Sequence, residues 1–301
     1  MSRLLYMLRT IMTMGREPQT FIDARWIRLL LQICPRSMQR DLALRVLNLS
    51  PHYFNRSIDP AYQKTPFPRY LELEHERNQG SRRKIREQIL APYLRDRYTV
   101  LDYGCGPGYL AKEVSGQVRQ VYACDISRGV LKCAEIINGA ENIEYIYADE
   151  TDLEKIPDGS VDLVYSFAVI QHVTDDAFNK ILTAVEKKLK EEGQAVFHVH
   201  LDTNDWRSEQ AYRDDTSLAG RMRFRYGLNC FSRTADSVDL MFSRHGFTDV
   251  TIRNVEDMVA EIFDDVCTQS LVTATKGRRD TDDRSTDRTP ARSADALAVA
   301  G

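Results

Sequence analysis

Thr99-Val-Leu-Asp-Tyr-Gly-Cys-Gly-Pro-Gly108 reads as a buried strand running straight into a glycine-rich turn, with a helical stretch, Tyr109–Val114, behind it. Glycine lets the backbone turn tightly and approach a ligand with no Cβ in between. The start of the following helix offers unpaired N–H groups and the positive end of its dipole. The spacing is G-x-G-x-G, because Tyr109 and Leu110 follow Gly108; a dinucleotide site calls for G-x-G-x-x-G/A. Asp102 stands immediately before the turn, where a carboxylate can hold an ammonium group. Asp125 lies 17 residues beyond Gly108, at the carboxyl end of the next apolar run. An acid in that place can accept hydrogen bonds from both hydroxyls of a ribose.

Working outward, short apolar runs alternate with helical stretches. Tyr98–Tyr103, Val121–Asp125, Ile143–Ala148, Val161–Phe167 and Ala195–His200 read as buried strands, and Tyr109–Val114, Val130–Asn138 and Ala177–Lys190 as the helices between them. That alternation predicts an α/β fold, a mostly parallel sheet with helices on both faces. Phe247–Val255 and Ser270–Lys276 read as closing strands after a helix over Thr234–His245. Ahead of the sheet, residues 1–97 read as a helical extension with apolar positions at helical spacing in Phe21–Leu31 and Met38–Leu49, then a charged amphipathic helix from Leu71 to Leu94. We therefore divide the chain into this extension (1–97), a ligand-binding domain (98–277) with a polar, aromatic- and arginine-rich insertion (202–229), and a disordered tail (278–301).

Four segments together resemble the class I S-adenosylmethionine-dependent methyltransferases. Val100-Leu-Asp-Tyr-Gly-Cys-Gly-Pro-Gly108 resembles the first motif of that family, and Val121-Tyr-Ala-Cys-Asp-Ile-Ser127 its second. Tyr147-Ala-Asp-Glu-Thr-Asp-Leu153 resembles the third and Val161-Asp-Leu-Val-Tyr-Ser-Phe-Ala-Val-Ile-Gln-His-Val173 the fourth. The resemblance covers roughly Tyr98 to Gly277. It implies a Rossmann-like seven-stranded sheet closed by an antiparallel strand at Ser270–Lys276. It also implies a cofactor held by Asp102, Gly104, Cys105, Gly106, Gly108, Asp125, Ile126, Asp149, Glu150 and Phe167. Among these Asp125 would take the ribose and Asp149 the adenine amino group. The family places its lid before the first strand too, and by position alone Tyr62, Arg69, Asn78 and Arg82 are candidates to close over the cofactor's carboxylate.

The candidate base is His172, which follows the Val161–Phe167 run at the edge where open α/β sheets bind ligands. The competing reading is a histidine that packs under the cofactor or caps the helix starting near Thr174. His198 and His200 fall on one side of their strand. His200 and Asp202 end that strand near the same catalytic edge, and with His172 they could hold Mg2+; polar groups lining an acceptor pocket are the reading preferred here, with no metal. In the insertion, Trp206, Tyr212, Phe224 and Tyr226 alternate with Arg207, Arg213, Arg221, Arg223 and Arg225. Aromatic faces and arginine forks suit an anionic or glycosylated small molecule, so His200, Trp206, Tyr212, Arg223 and Tyr226 are candidate acceptor contacts. A solvated helix with exposed arginines explains the same pattern.

These readings point to methylation of a small-molecule, glycan-like or lipid-linked acceptor, at oxygen. The rivals are an N- or C-methyltransferase and a silent cofactor-binding partner protein. Nucleic acid is a poor fit as the acceptor: Ser166-Phe-Ala-Val stands where DNA methyltransferases usually carry N/D-P-P-Y/F, and a pI near 6.1 argues against a general nucleic-acid binder. The six cysteines show no C-x-x-C pair, which fits a reducing cytoplasm. No run approaches the roughly 20 apolar residues of a bilayer span. The net charge of -3 hides a surplus of nine positive charges in residues 1–100. Met1–Met14, read as part of the mature protein, sets Arg3 and Arg9 among six apolar residues, an interfacial pattern that admits peripheral membrane contact or packing on a second subunit.

Overall fold

Val100, Leu101, Val121, Ala123, Leu163, Val164, Ala195 and Val196 are all fully buried, and they are consecutive or alternate residues of their strands. Side chains two apart share a sheet face and neighbours oppose each other. Burial of both kinds therefore requires a sheet covered on both sides, which is the parallel arrangement. The computed structural model describes residues 21–50, 62, 64–148, 152–201, 206–226, 229–255 and 269–278.

The strands are β1 (Thr99–Tyr103), β2 (Gln120–Asp125), β3 (Ile143–Tyr147), β4 (Val161–Ser166), β5 (Leu189–His200), β6 (Phe247–Asn254) and β7 (Gln269–Lys276). They form one sheet in the order β3-β2-β1-β4-β5-β7-β6. The first five run parallel, and β7 enters antiparallel between β5 and β6. The order reverses at β1, so the crevice at its carboxyl end lies between β1 and β4, where such sheets bind ligands.

Helices α1 (Arg25–Ile33), α2 (Arg36–Leu47) and α3 (Phe67–Lys84) precede β1, and α4 (Tyr109–Ser115) and α5 (Arg128–Asn138) follow β1 and β2. α6 (Asp175–Lys188) precedes β5, α7 (Glu209–Arg213) and α8 (Leu218–Tyr226) lie in the insertion, and α9 (Ala235–Arg244) leads into β6. One sheet face packs with Phe178, Leu182, Val238 and Phe242 of α6 and α9. The other packs with Leu110, Val114 and Leu131 of α4 and α5 and with Ile85 and Ile89 ahead of β1.

The sequence predicts one long helix to Leu94. Instead α3 ends at Lys84, passes into a π-helical turn over Ile85–Leu90 and finishes as a 3-10 turn at Ala91–Tyr93. Pro92 has no N–H to donate, which accounts for the stop. β5 starts at Leu189, earlier than Ala195, with Glu192 in a left-handed conformation. Lys188 pairs with Asp158 at 2.7 Å and Lys190 with Asp162 at 2.5 Å across that join.

The extension is fastened to α5. Ile27 and Leu31 of α1 pack with Ala43, Val46 and Leu47 of α2 against Val130 and Cys133. Asp23 Oδ1 accepts hydrogen bonds from Ser127 Oγ at 2.7 Å and from the Gly129 amide at 3.0 Å, adding a carboxylate at the start of α5. A Cβ on Gly129 would fall 2.0 Å from the Ile22 carbonyl oxygen. Gly129→Ala is therefore expected to cost about 1–3 kcal/mol and to loosen residues 21–47. Faster amide exchange there, with β1–β5 protection unchanged, is the result that checks it.

Candidate active site

The first glycine turn is built by constraint at two positions and by open space at the third. Gly104, Gly106 and Gly108 all have positive φ. A Cβ on Gly104 would strike Val169 and one on Gly108 would strike the Tyr145 hydroxyl, both at 2.3 Å. On Gly106 it would meet nothing within 4 Å, so the backbone there is bare toward the crevice. The amides of Gly104 and Cys105 both donate to the Cys124 carbonyl at 2.8 Å, which ties the turn to β2. Cys105 is buried beneath it.

Two carboxylates flank this turn. Asp125 Oδ2 accepts from the Gly106 amide at 3.0 Å and Oδ1 from the Ser127 amide at 2.9 Å. Each oxygen keeps a second lone pair for a ligand hydroxyl. Burial pushes the pKa of Asp125 up to about 6, the two amides pull it down and Asp23 pushes it up. Asp102 is buried, with Oδ2 lacking any hydrogen-bond partner. Burial, then the neighbouring Asp125 charge, drive its pKa up to about 8 against the pull of the Arg82 guanidinium. A positively charged ligand group beside it would restore the ionised form. Ile126, the next residue after Asp125, is an exposed apolar side chain at the rim.

Across the crevice, Phe167 ends the β4 run and stacks on His198, with ring centroids 5.9 Å apart. Ala168 follows with a φ of 59°, a strained conformation for a residue with a Cβ. Its amide donates to His198 Nδ1 at 3.4 Å. His198 Nε2 therefore carries the proton and donates to Gln269 Oε1 at 2.9 Å. Burial takes His198 down to about 4. His172 lies in a 3-10 turn, Ile170–His172. Its Nδ1 donates to the Asn229 carbonyl at 2.9 Å, since a carbonyl can only accept, and this leaves Nε2 with a lone pair. Burial lowers its pKa too. His200 feels both other histidines and falls to about 3 by burial first, with Nδ1 buried and without a partner. All three rings are therefore neutral at pH 7. Trp206 lies against His200, centroids 4.5 Å apart.

Six buried side-chain polar atoms lack a partner among the described residues; four of them belong to Asp102, Tyr165, Gln171 and His200. These residues stand at or just beyond the carboxyl ends of β1, β4 and β5. Orphaned polar atoms cost free energy unless a ligand or water satisfies them, so their gathering at one sheet edge makes that edge the candidate ligand site.

The other expected residues are placed differently. Asp149 and Glu150 lie outside the described residues, as does Asp202. Arg223 and Tyr226 belong to α8. Tyr212 packs into an aromatic cluster with Phe224 and Phe231, centroids 6.1 and 5.4 Å away, and the neighbouring Arg213 pairs with Glu209. Of the four lid candidates, only Arg82 acts on both Asp102 and His198. Tyr62 packs edge-on to Tyr70, Arg69 pairs with Glu72, and Asn78 donates to the Glu74 carbonyl. Asn229 and Cys230, which flank Nδ1 of His172, carried no signal in the sequence. Among the described residues no group of three His, Cys, Asp or Glu side chains could hold a metal ion. None of their helices is long and apolar enough to cross a membrane.

Comparison with known proteins agrees with this geometry. Residues 101–197 match the family profile of a methyltransferase domain. Phosphoethanolamine N-methyltransferase 1 of Triticum aestivum is 33% identical over 124 residues, 38% of this chain and 25% of that protein. A probable S-adenosylmethionine-dependent methyltransferase of Mycobacterium tuberculosis is 34% identical over 132 residues, 41% of this chain and 47% of that protein. The matched regions thus span between a quarter and about half the length of these curated relatives. Among solved structures, the complex of the Haloferax volcanii Trm112 methyltransferase activator and the putative methyltransferase aligns with a TM-score of 0.50 at 15% identity. That alignment covers 69% of this chain and 96% of that one, and it agrees on the fold. Fold and crevice define a ligand-binding α/β domain of the Rossmann-like kind. Its matched part, residues 101–197, carries a methyltransferase domain.

Proposed function

We propose that the chain is an S-adenosylmethionine-dependent methyltransferase of a small-molecule, glycan-like or lipid-linked acceptor, with His172 taking the acceptor's proton. The observation that carries it is the buried, proton-holding Asp102, whose Oδ2 lacks a partner, beside the bare backbone of Gly106. A buried acid raised to about 8 is poised to exchange its proton for the ammonium of an amino-acid-bearing ligand. Arg82, on the same side, suits that ligand's carboxylate, Asp125 the two ribose hydroxyls, and Ile126 and Phe167 the apolar surfaces. Asp149 and Glu150 are assigned to the adenine.

When bound, S-adenosylmethionine supplies an electrophilic methyl group on a sulfonium. The chain's own residues align the acceptor, keep water out and hold the proton. The Asn229 carbonyl fixes His172 in the tautomer that presents Nε2 as a base, and burial keeps that ring neutral at pH 7. His200 Nδ1 and Gln171 Oε1 are acceptors suited to a hydroxyl or amine of the substrate. Trp206 supplies an aromatic wall against His200. Tyr212, Arg223 and Tyr226 belong to the lid that closes the acceptor side. Oxygen is the methylated atom in this reading. The name of the wheat relative favours nitrogen as the second reading, and the same base serves an ammonium acceptor. The described cysteines are free thiols, which suits a cytoplasmic enzyme.

The test is the pH dependence of cofactor binding. Asp102 must lose its proton to receive an ammonium, so affinity is expected to rise about tenfold per pH unit from pH 6 toward its pKa of about 8. It should fall again above pH ~8, where an α-amino group loses its own charge. In the apoprotein the sign is opposite: a carboxyl raised above its ordinary value stabilises the fold at low pH, and that contribution is lost as pH rises through about 8. Calorimetry in buffers of different ionisation enthalpy should record close to one proton released at pH 7. Proton-neutral binding across this range would remove the assignment of Asp102.

A further inference from the structure

The turn that carries His172 is too short to hold itself in place. It is a 3-10 turn of three residues, Ile170–His172, a form with poor hydrogen-bond geometry. The Val173 amide reaches the Ile170 carbonyl only at 3.4 Å. A general base needs its lone pair held in register with the acceptor, because a misplacement of about 1 Å can cost about a hundredfold in rate. The attachments that hold this turn come from the returning end of the insertion, residues 229–233. The Asn229 carbonyl accepts from His172 Nδ1 at 2.9 Å, and the Phe231 amide donates to the Gln171 carbonyl at 2.8 Å. Arg233 then lays its guanidinium across both ends of the turn. Its Nη1 donates to the Ile170 carbonyl at 2.9 Å and its Nη2 to the Val173 carbonyl, while Nε donates to Asp175 Oδ1 at 2.7 Å.

A guanidinium taken out of water costs free energy unless its donors are satisfied. Arg233 is buried, with the Phe178 ring 5.4 Å from its guanidinium carbon. Two of its three hydrogen bonds fall on the turn, and one falls on the first residue of α6. That helix already has a cap, since Thr174 Oγ1 accepts from the Ala177 amide at 3.3 Å. The start of α6 therefore does not account for the arginine. Hydrogen bonds from a charged donor are roughly twice as strong as neutral ones, so the fork is the strongest of the three attachments to the turn. Its planar geometry spans two carbonyls at once, which a lysine ammonium does not. The backbone of Arg233 also bridges to Leu201, the residue after His200. One side chain and its backbone thus tie the His172 turn to the end of β5.

We propose that Arg233 is the positioning residue for the base: its fork on the Ile170 and Val173 carbonyls holds the turn against Asn229 and keeps His172 Nε2 directed at the acceptor. Loss of the fork frees the ring from the Asn229 carbonyl, and the proton then exchanges between Nδ1 and Nε2. A ring with its proton on Nε2 offers the acceptor no lone pair there. The role of His172 as base rests on the proposed methyl transfer; the fixing of its ring by Arg233 does not.

The test is nitrogen-15 NMR of the full chain labelled in its histidine rings and arginine side chains. His172→Gln identifies the His172 signals among the six histidines, and Arg233→Lys identifies those of Arg233. In the parent we expect the His172 ring in one neutral tautomer, protonated on Nδ1, and separate, slowly exchanging signals for the Nη protons of Arg233. Arg233→Gln should keep one cooperative thermal transition and bind S-adenosylhomocysteine within about twofold of the parent. Its His172 ring nitrogens should nevertheless shift to the averaged positions of two exchanging tautomers. Arg233→Lys, which keeps a charge beside Asp175 without the fork, should shift them in the same way. Asp175→Asn leaves both carbonyl bonds in place and should leave the ring signals where the parent has them. Ring signals unchanged in both Arg233 variants would overturn the proposal. So would Nη protons that average freely in the parent, a reading that needs no variant to fold, or a shift in Asp175→Asn as large as that in Arg233→Gln. The ring is read with no cofactor or acceptor present, so a chain that binds no S-adenosylmethionine would remove the methyl-transfer reading and leave the ring result standing.

Discussion

Asp125→Ala is expected to weaken S-adenosylmethionine binding by about two to four orders of magnitude. Hydrogen bonds to a charged group contribute about 1.5–3 kcal/mol each. Two ribose hydroxyls therefore stand for about 3–6 kcal/mol, at ~1.4 kcal/mol per tenfold. The substitution also releases the amides of Gly106 and Ser127, which Asp125 holds at 3.0 and 2.9 Å, so the turn itself loses its tie to the start of α5. Asp125→Asn keeps one acceptor oxygen and should lose less. The apoprotein of either variant should be no less stable at neutral pH through this ionisation: a carboxyl raised to about 6 is a burden on the fold above that pH. A titration in which Asp125→Ala binds as tightly as the parent would remove the ribose assignment.

His172→Gln carries the second large effect, and it falls on turnover. A positioned general base contributes roughly 10²–10⁴-fold, so kcat should drop by that range while the dissociation constant of S-adenosylmethionine stays within about twofold. Nδ1 is engaged with the Asn229 carbonyl, so the active species is the neutral ring. Burial lowers the pKa of the ring from 6.5, so the acidic limb of the rate profile should lie below pH 6.5 and vanish in the variant. Full turnover in His172→Gln with an unchanged profile would leave the histidine a packing residue, as one reading of the sequence allowed.

Much of the fold was legible because its signals are local. The strand before Gly104 and the glycines that require positive φ are written within ten residues, and so are the acid at the end of β2 and the apolar runs of β3 and β4. The strand ends shift by a residue or so, except in β5, where the Lys188 and Lys190 ion pairs to Asp158 and Asp162 carry pairing back to Leu189. No local pattern foretold that join. α3 likewise looked continuous to Leu94, and only Pro92 hinted at the change of helical type.

The site was less legible wherever distant segments meet. The tautomer of His172 depends on Asn229, 57 residues away, and the start of α5 depends on Asp23, 106 residues before Gly129. Neither contact leaves a spacing to read. Arg82 was one of four positional candidates, and only packing distinguishes it from Arg69, whose charge is spent on Glu72. The aromatic residues of the insertion looked equivalent in sequence. In the fold Trp206 reaches His200, whereas Tyr212 joins a cluster with Phe224 and Phe231, because Phe231 is pinned by its amide to the Gln171 carbonyl.

The central claim is that Asp102, the bare Gly106 backbone and Asp125 form a site for S-adenosylmethionine. Calorimetric titration of the purified chain with S-adenosylmethionine, S-adenosylhomocysteine and NAD, with and without magnesium, tests it most directly. Micromolar binding of the first two, indifferent to magnesium, with no heat from NAD, is the expected result. Binding of NAD alone, or of none of the three, would contradict it.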